Sequence, residues 1–177
     1  LEKLTVIKNE KKLGYGGNQT EGYDYFSAKG FDIVVLLHGD GQYAPEILAS
    51  MYAPLVAGEA HAVFGSRMMT TYGGPLKGGM PLYKYVGNKI LTTAQNILLN
   101  SKLSEFHSGY RVYSTKALKQ IQFRFNSNDF HFDTEIIIQL LNAKLRIAER
   151  SSPTSYGDEI SRLNGMNYEK DVMIATT

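Results

Sequence analysis

The segment from Phe31 to Leu37 is apolar at every position except Asp32, and several of its residues are β-branched. A continuous run of this kind is typical of a central strand that is buried on both faces of a parallel sheet. Residues 62–67 resemble it, and helical patterns lie between the two runs and ahead of the first. With a short apolar stretch at residues 4–7, the order predicts β-α-β-α-β, which is an α/β fold with a mostly parallel sheet flanked by helices.

The rest of the chain predicts further helices and short strands. A glycine-rich turn at residues 11–18 leads into the first helix, which Gly30 closes. Further on, a long amphipathic helix carries Val86, Ile90 and Ile97 on one face. The remaining predicted elements are a helix at 45–58, a loop at 68–80, strands at 109–114 and 145–149, helices at 116–121 and 133–143, a polar loop at 153–162 and a last helix from 168.

Composition restricts the classes of protein. The 177 residues suit one domain with a hydrophobic core, and a net charge of +2 does not indicate nucleic-acid binding. Because the chain has no cysteine, any metal is held by oxygen or imidazole, which favours Mg²⁺ or Mn²⁺. No apolar run approaches the roughly 20 residues that span a bilayer, and no signal peptide is visible, so we expect a cytoplasmic location.

Polar residues follow both predicted central strands. His38-Gly39-Asp40-Gly41-Gln42 comes after the first, and Arg67 after the second. Ligands in open α/β sheets bind beyond the carboxyl ends of the strands, where the Asp40 carboxylate would hold a divalent cation that bridges a diphosphate. The alternative is that Asp40 is a turn residue in an Asp-Gly loop.

Three blocks of the sequence resemble a known family. Residues 36–46 resemble the D-x-D-G-Q-x-x-P-E block of family 2 glycosyltransferases, residues 63–67 their V-x-G-S-R block, and residues 105–111 their D-x-x-S-G-F/Y-R block. The blocks occur in the family's order. Within the family, the sequences of these blocks are most similar to those of the polyprenyl-phosphate sugar synthases, such as dolichyl-phosphate mannose synthase and similar bacterial enzymes of cell-wall or glycan biosynthesis.

The resemblance implies a GT-A fold, a Rossmann-like sheet that uses a nucleotide-sugar donor, a UDP- or GDP-sugar, with Mg²⁺ or Mn²⁺. Asp40 matches the second acidic residue of the D-x-D, and Gln42 the glutamine beside the metal. His38 replaces the first Asp; an imidazole ligates Mn²⁺ but suits Mg²⁺ poorly, or it hydrogen-bonds the diphosphate. Gly14 and Gly17 match a glycine-rich turn whose backbone lies near the nucleotide.

The resemblance also implies an acceptor side. Arg67 matches an arginine that meets an acceptor phosphate, and Lys84 stands where a second basic contact occurs, unless it is a solvated surface lysine. Glu105 is expected to act as a general base or to orient the acceptor, unless it caps a helix end. Arg111 braces the site or pairs with a carboxylate. The block at Ser108 and the late loop with Ser161 and Arg162 complete the predicted acceptor and phosphate contacts.

We expect residues 1–177 to be a partial catalytic domain that lacks its first strands, because the family's P-x-x-N-E strand is not found. If residues 1–177 were instead the complete molecule, an exposed sheet edge would invite a homodimer. The function predicted is an inverting transfer of a sugar to a polyprenyl phosphate or a glycan hydroxyl, at the inner face of the membrane. Alternatives are a non-catalytic remnant that keeps the fold and a nucleotidyltransferase, against which the S-G-Y-R block argues.

Overall fold

A computed structural model describes residues 4–153 and 165–176 of the chain. These described residues form four strands and six α-helices, and short 3-10 turns cover Pro45–Ile47 and Phe123–Phe125. In chain order the elements are α1 (Gly14–Ala28), β1 (Ile33–Leu36), α2 (Leu48–Val56), β2 (Ala62–Ser66), α3 (Leu82–Leu98), β3 (Arg111–Ser114), α4 (Thr115–Leu118), α5 (Phe132–Asn142), β4 (Ile147–Ser151) and α6 (Gly165–Thr176).

The strands form one sheet in the order β1-β3-β2-β4. β2 and β4 pair in parallel, whereas β3 lies between β1 and β2 and is antiparallel to both. Three of the four strands therefore run in one direction, as the predicted mostly parallel sheet requires. The sequence predicted β3 as a strand. It did not predict the position of β3 between β1 and β2, because a hydrophobic pattern does not specify which strands are neighbours in a sheet.

Both faces of the sheet are covered by apolar side chains, which explains why β1 and β2 are apolar along most of their length. On one face, Tyr113 of β3 joins a core with residues of α1, α4 and α5. On the other, Val112 and Val63 pack with Met51 of α2. Neighbouring residues of β3 thus enter different cores, as the two-residue period of a strand dictates.

Two predicted elements near the start of the chain are wrong. Residues 4–7 are exposed and form no strand, and the glycine-rich turn is shorter than predicted because α1 already begins at Gly14. The glycines are needed for close packing. A Cβ on Gly16 would lie 2.2 Å from the carbonyl oxygen of Ser127, and Gly14 has a φ of +85° with the carbonyl oxygen of Asn128 beside it.

Helix α3 reverses the usual arrangement of an amphipathic helix. Its polar residues Asn88, Thr92 and Gln95 are buried, whereas Ile90 and Ile97 are 64% and 75% exposed. The apolar face that the sequence indicated is therefore at the surface of the described structure. Among the described residues, no helix is both long and apolar enough to cross a bilayer.

Candidate active site

The predicted functional segments meet at one edge of the sheet. β1, β2 and β4 all end there, and residues 105–110 cross the same edge before β3 begins. The backbone N–H of Gly65 donates to the carbonyl of Tyr110 at 2.8 Å, and that of Ser152 donates to the carbonyl of Ser66 at 2.9 Å. The three sequence blocks are thereby brought together in space.

Asp40 lies in a turn beyond β1 and still presents an accessible carboxylate. One carboxylate oxygen, Oδ1, accepts a hydrogen bond from the backbone N–H of Gln42 at 3.0 Å, and Gly41 adopts a φ of +77°. The other, Oδ2, lies 3.9 Å from Nδ1 of His38, and the Asp40 side chain is 51% exposed. The turn interpretation and the ligand interpretation of Asp40 are thus compatible.

The His38 ring is held by close packing. It contacts Tyr15 and Tyr43 edge-on, and a Cβ on Gly109 would lie 2.5 Å from its Cε1 atom. The Tyr43 hydroxyl accepts the backbone N–H of Gly109 at 2.8 Å, which fixes this segment against the turn after β1. The glycine of the S-G-Y-R block is therefore required by contact with His38.

A buried polar cluster lies behind His38. The Tyr15 hydroxyl donates to Oδ2 of Asp133 at 2.8 Å and lies 3.2 Å from Nε2 of His38. Gln19 donates to the second oxygen of Asp133 at 3.2 Å, and Nε of Arg111 lies 3.8 Å from the carboxylate. Burial, followed by the negative charge of Asp133, raises the pKa of Tyr15 far above its ordinary value, so the phenol keeps its proton.

Arg111 braces the segment that precedes its own strand. Its guanidinium is 1% exposed and donates to the carbonyl oxygens of Phe106 and Ser108 at 2.7 and 2.8 Å. It also covers the Phe64 ring at 4.7 Å. Burial opposes its charge, but Asp133 outweighs that effect and raises the pKa of Arg111. This geometry matches the bracing role predicted for Arg111, and it leaves little surface for direct contact with a substrate.

Arg67 and Glu105 form an ion pair at the end of β2. The backbone N–H and Nε of Arg67 each donate to the carboxylate at 2.7 Å, and Nη2 makes a further contact with it. Asn88 of α3 donates to the same carboxylate at 2.9 Å. Burial alone would raise the pKa of Glu105, but the charge and hydrogen bonds of Arg67 prevail and lower it.

This arrangement bears on the role of Glu105. Its side chain has 0% exposure and stays ionised, because Arg67 and Asn88 surround it. A general base needs contact with the proton that it removes. The geometry therefore argues against the base role, and Glu105 holds the guanidinium of Arg67, which lines a cleft with Met69, Tyr72, Gly74, Gly78, Ser152 and Pro153.

The other predicted site residues lie in different settings. Lys84 is exposed on α3, and Ser108 is buried beside the Arg111 guanidinium. Gly14 and Gly17 pack against Asn128, so both have a structural reason to be glycine, and their contact with a donor remains a prediction. Ser161 and Arg162 lie outside the described residues.

The donor atoms present suit a hard or borderline divalent cation. Within residues 4–153 and 165–176, no three His, Asp or Glu side chains come together, so His38 and Asp40 would be supplemented by diphosphate and water. Mg²⁺ and Mn²⁺ commonly bind in this way, through few protein carboxylates plus substrate phosphates. The accessible Asp40 oxygen facing an imidazole nitrogen therefore fits the metal predicted from the sequence.

Sequence reasoning missed several side chains that shape this site. Tyr15 lies within the glycine-rich segment, and the helix dipole explains an acid such as Asp133 at the start of α5 without any function. Asn88 occupies the buried polar face of α3, and no sequence signal pointed to it, because hydrophobic periodicity assigns the apolar face of a helix to the core.

Comparison with known proteins agrees with these features. Residues 1–122 match the model of "Glycosyl transferase family 2". The chain therefore belongs to glycosyl transferase family 2. It is 32% identical over 165 residues to the UDP-N-acetylglucosamine–dolichyl-phosphate N-acetylglucosaminyltransferase of Methanococcus voltae. It is 25% identical over 170 residues to the polyprenol monophosphomannose synthase of Mycolicibacterium smegmatis. Relatives thus include archaeal as well as bacterial proteins.

These matches cover most of this chain but only part of each relative. The alignments span 93% and 94% of this chain and 64% and 62% of the two relatives. Among solved structures, glucosyl-3-phosphoglycerate synthase from Mycobacterium tuberculosis in complex with UDP matches with a TM-score of 0.62 at 17% identity, covering 99% of this chain and 56% of that one. The same enzyme was solved with Mn²⁺, UDP and glucosyl-3-phosphoglycerate, and that structure has a TM-score of 0.62 at 16% identity, with the same coverage. These likenesses confirm the GT-A fold.

Proposed function

We propose that the protein containing this chain is an inverting glycosyltransferase that moves a sugar from a UDP- or GDP-sugar to a polyprenyl phosphate. The family and the names of both relatives support this class of reaction. The choice of a phosphate as the acceptor rests on the ion pair between Arg67 and the fully buried Glu105.

A hydroxyl acceptor and a phosphate acceptor make different demands on the site. A hydroxyl must lose a proton to a positioned base as it attacks. A phosphate monoester, with a second pKa of about 6, is already an anionic nucleophile at neutral pH and needs cationic groups to hold it. Glu105 is unsuited to be that base, whereas the arginine that it orients is suited to a phosphate.

On the donor side, Asp40 and His38 would hold the divalent cation, and Gln42 lies beside them. When bound, such a cation offsets the negative charge that develops on the nucleoside diphosphate leaving group. The positions of Asp40 and Arg67 support a donor site at the end of β1 and an acceptor phosphate site at the end of β2. The attack then occurs across the sheet edge, with inversion at the anomeric carbon.

A lipid acceptor implies work at a membrane surface. The outer face of α3 supports peripheral association, because Leu82, Ile90 and Ile97 are more than half exposed there and Lys89 on the same helix is exposed as well. Apolar contacts and a cation are what bind a helix to an anionic bilayer surface. Co-sedimentation with anionic vesicles should weaken in an Ile90→Asp, Ile97→Asp variant; unchanged sedimentation, or a change in oligomeric state instead, would contradict this assignment of the face.

The class of acceptor is tested by assaying the full-length protein with a phosphate acceptor and with a hydroxyl acceptor. With Mn²⁺ and UDP- or GDP-sugars, product formation on a polyprenyl phosphate and on the matching polyprenol is measured by mass spectrometry. Transfer to the phosphate alone is expected, and Asp40→Ala should abolish it while Glu21→Ala on α1 should not. Equal transfer to the free hydroxyl would contradict the proposal, and absence of both transfer and donor binding would favour the non-catalytic remnant.

A further inference from the structure

We propose that Tyr15 and Asp133 are positioning residues that fix the tautomer of His38 and so present its Nδ1 atom, together with Asp40, to a divalent cation. The inference rests on the proposed function of residues 38–42 as the donor metal site. It extends that site to side chains on α1 and α5, which are remote from it in sequence.

The Tyr15 hydroxyl has one proton and can donate one hydrogen bond. Two partners lie within reach, Oδ2 of Asp133 at 2.8 Å and Nε2 of His38 at 3.2 Å. The Asp133 carboxylate offers only acceptor atoms, and it also accepts from Gln19 and faces the buried guanidinium of Arg111. The Tyr15 proton therefore points to Asp133.

The direction of the Tyr15 hydrogen bond determines the tautomer of His38. Since the Tyr15 hydroxyl donates its one hydrogen bond to Asp133, its oxygen can only accept from His38, so Nε2 of His38 carries a hydrogen. A neutral imidazole has one N–H, and Nδ1 is then left with a lone pair. Nδ1 lies 3.9 Å from Oδ2 of Asp40, a distance too long for a hydrogen bond between them.

Two acceptors that face each other at this distance are suited to share a cation. Metal–oxygen and metal–imidazole bonds are about 2.0–2.2 Å long, so one ion can reach both atoms with a small adjustment of the half-exposed Asp40. Partners behind a ligating histidine commonly set its tautomer and basicity, and their loss typically reduces metal affinity about 10–100-fold. A nitrogen ligand also favours Mn²⁺ over Mg²⁺.

The test measures Mn²⁺ affinity and the tautomer, neither of which needs turnover. Mn²⁺ binding to the full-length protein is followed by electron paramagnetic resonance with and without UDP, for the wild type and for Tyr15→Phe, His38→Ala and the double variant. Histidine ¹⁵N shifts in the metal-free protein at about pH 8, where imidazoles are generally neutral, report which nitrogen is protonated. Tyr83→Phe, an exposed tyrosine on α3, is the matched control.

We expect Nε2–H in the wild type, a shift toward Nδ1–H in Tyr15→Phe, and about 10-fold weaker Mn²⁺ binding in that variant. In the His38→Ala background, Tyr15→Phe should have no further effect, because Tyr15 acts through the imidazole. An unchanged tautomer or Mn²⁺ affinity in a folded Tyr15→Phe protein, as judged by its unfolding midpoint, would overturn the inference.

The proposed function is tested separately by Asp40→Asn. If that variant binds Mn²⁺ as the wild type does, the donor metal site itself is wrong. If Asp40→Asn weakens Mn²⁺ binding and Tyr15→Phe does not, the metal site stands and only the positioning role of Tyr15 and Asp133 falls.

Discussion

Glu105 accepts hydrogen bonds from both the backbone N–H and the side chain of Arg67, although 38 residues separate the two in sequence. The pair joins the end of β2 to the segment that precedes β3. It also fixes the direction of the guanidinium that we assign to the acceptor phosphate. Loss of the carboxylate should therefore affect both stability and function.

Glu105→Gln should lower the free energy of unfolding by about 3 kcal/mol, because it removes the carboxylate that compensates the charge of the partly buried Arg67. Urea denaturation measures the change, and the exposed Glu59→Gln serves as the control. A loss below about 0.5 kcal/mol would show that the pair contributes little to the fold.

His107 should make stability depend on pH. Burial lowers the pKa of His107 from 6.5 to about 4. Between these values the unfolded chain binds a proton that the folded chain does not, so stability is lost as the pH falls from about 6.5 to about 4. Urea denaturation across this range should show a decline in the free energy of unfolding of the wild type. That decline should be about 2–3 kcal/mol smaller in His107→Gln. An equal decline in the wild type and in His107→Gln would show that His107 is not its source. The control, His61→Gln, should show the same decline as the wild type.

Gly109→Ala should displace His38, because the added Cβ would lie 2.5 Å from Cε1 and 2.8 Å from Nε2 of the imidazole. We expect weaker Mn²⁺ binding and a kcat/KM reduced at least 10-fold, measured by calorimetry and a transfer assay. The control is Gly22→Ala, whose Cβ would meet nothing within 4 Å. Full activity in Gly109→Ala would mean that the position of His38 is unimportant.

Gly14→Ala separates a packing role from a donor role. Its φ of +85° and the carbonyl oxygen of Asn128 at 2.5 Å from the added Cβ predict a loss of about 2–3 kcal/mol in unfolding free energy. If packing is the reason for the glycine, the folded fraction should bind UDP as the wild type does. Unchanged stability with weakened UDP binding would instead favour the donor contact predicted from the sequence.

The sequence predicted the elements whose patterns are local and strong. The runs at 31–37 and 62–67 became β1 and β2, and Gly30, with a φ of +78°, follows the end of α1 as expected. Residues 4–7 have strand-like composition but find no partner strand among the described residues, and a strand is stable only when it is paired.

Contacts between distant residues could not be predicted in the same way. Tyr15 and Asp133 are 118 residues apart, and their hydrogen bond depends on how α1 packs against the start of α5. The buried polar face of α3 was also unexpected, because hydrophobic periodicity assigns the apolar face to the core. There, Asn88 is drawn inward by the Glu105 carboxylate.

We propose that Asp40 and His38 hold the metal to which a nucleotide-sugar donor binds. Titration calorimetry of the full-length protein with UDP and with GDP, each with and without Mn²⁺, measures this dependence. One of the two nucleotides should bind in the presence of Mn²⁺, and its affinity should fall at least 10-fold on removal of the metal or in Asp40→Ala. Binding that is equally tight without Mn²⁺ and in Asp40→Ala would show that neither the metal nor Asp40 holds the donor.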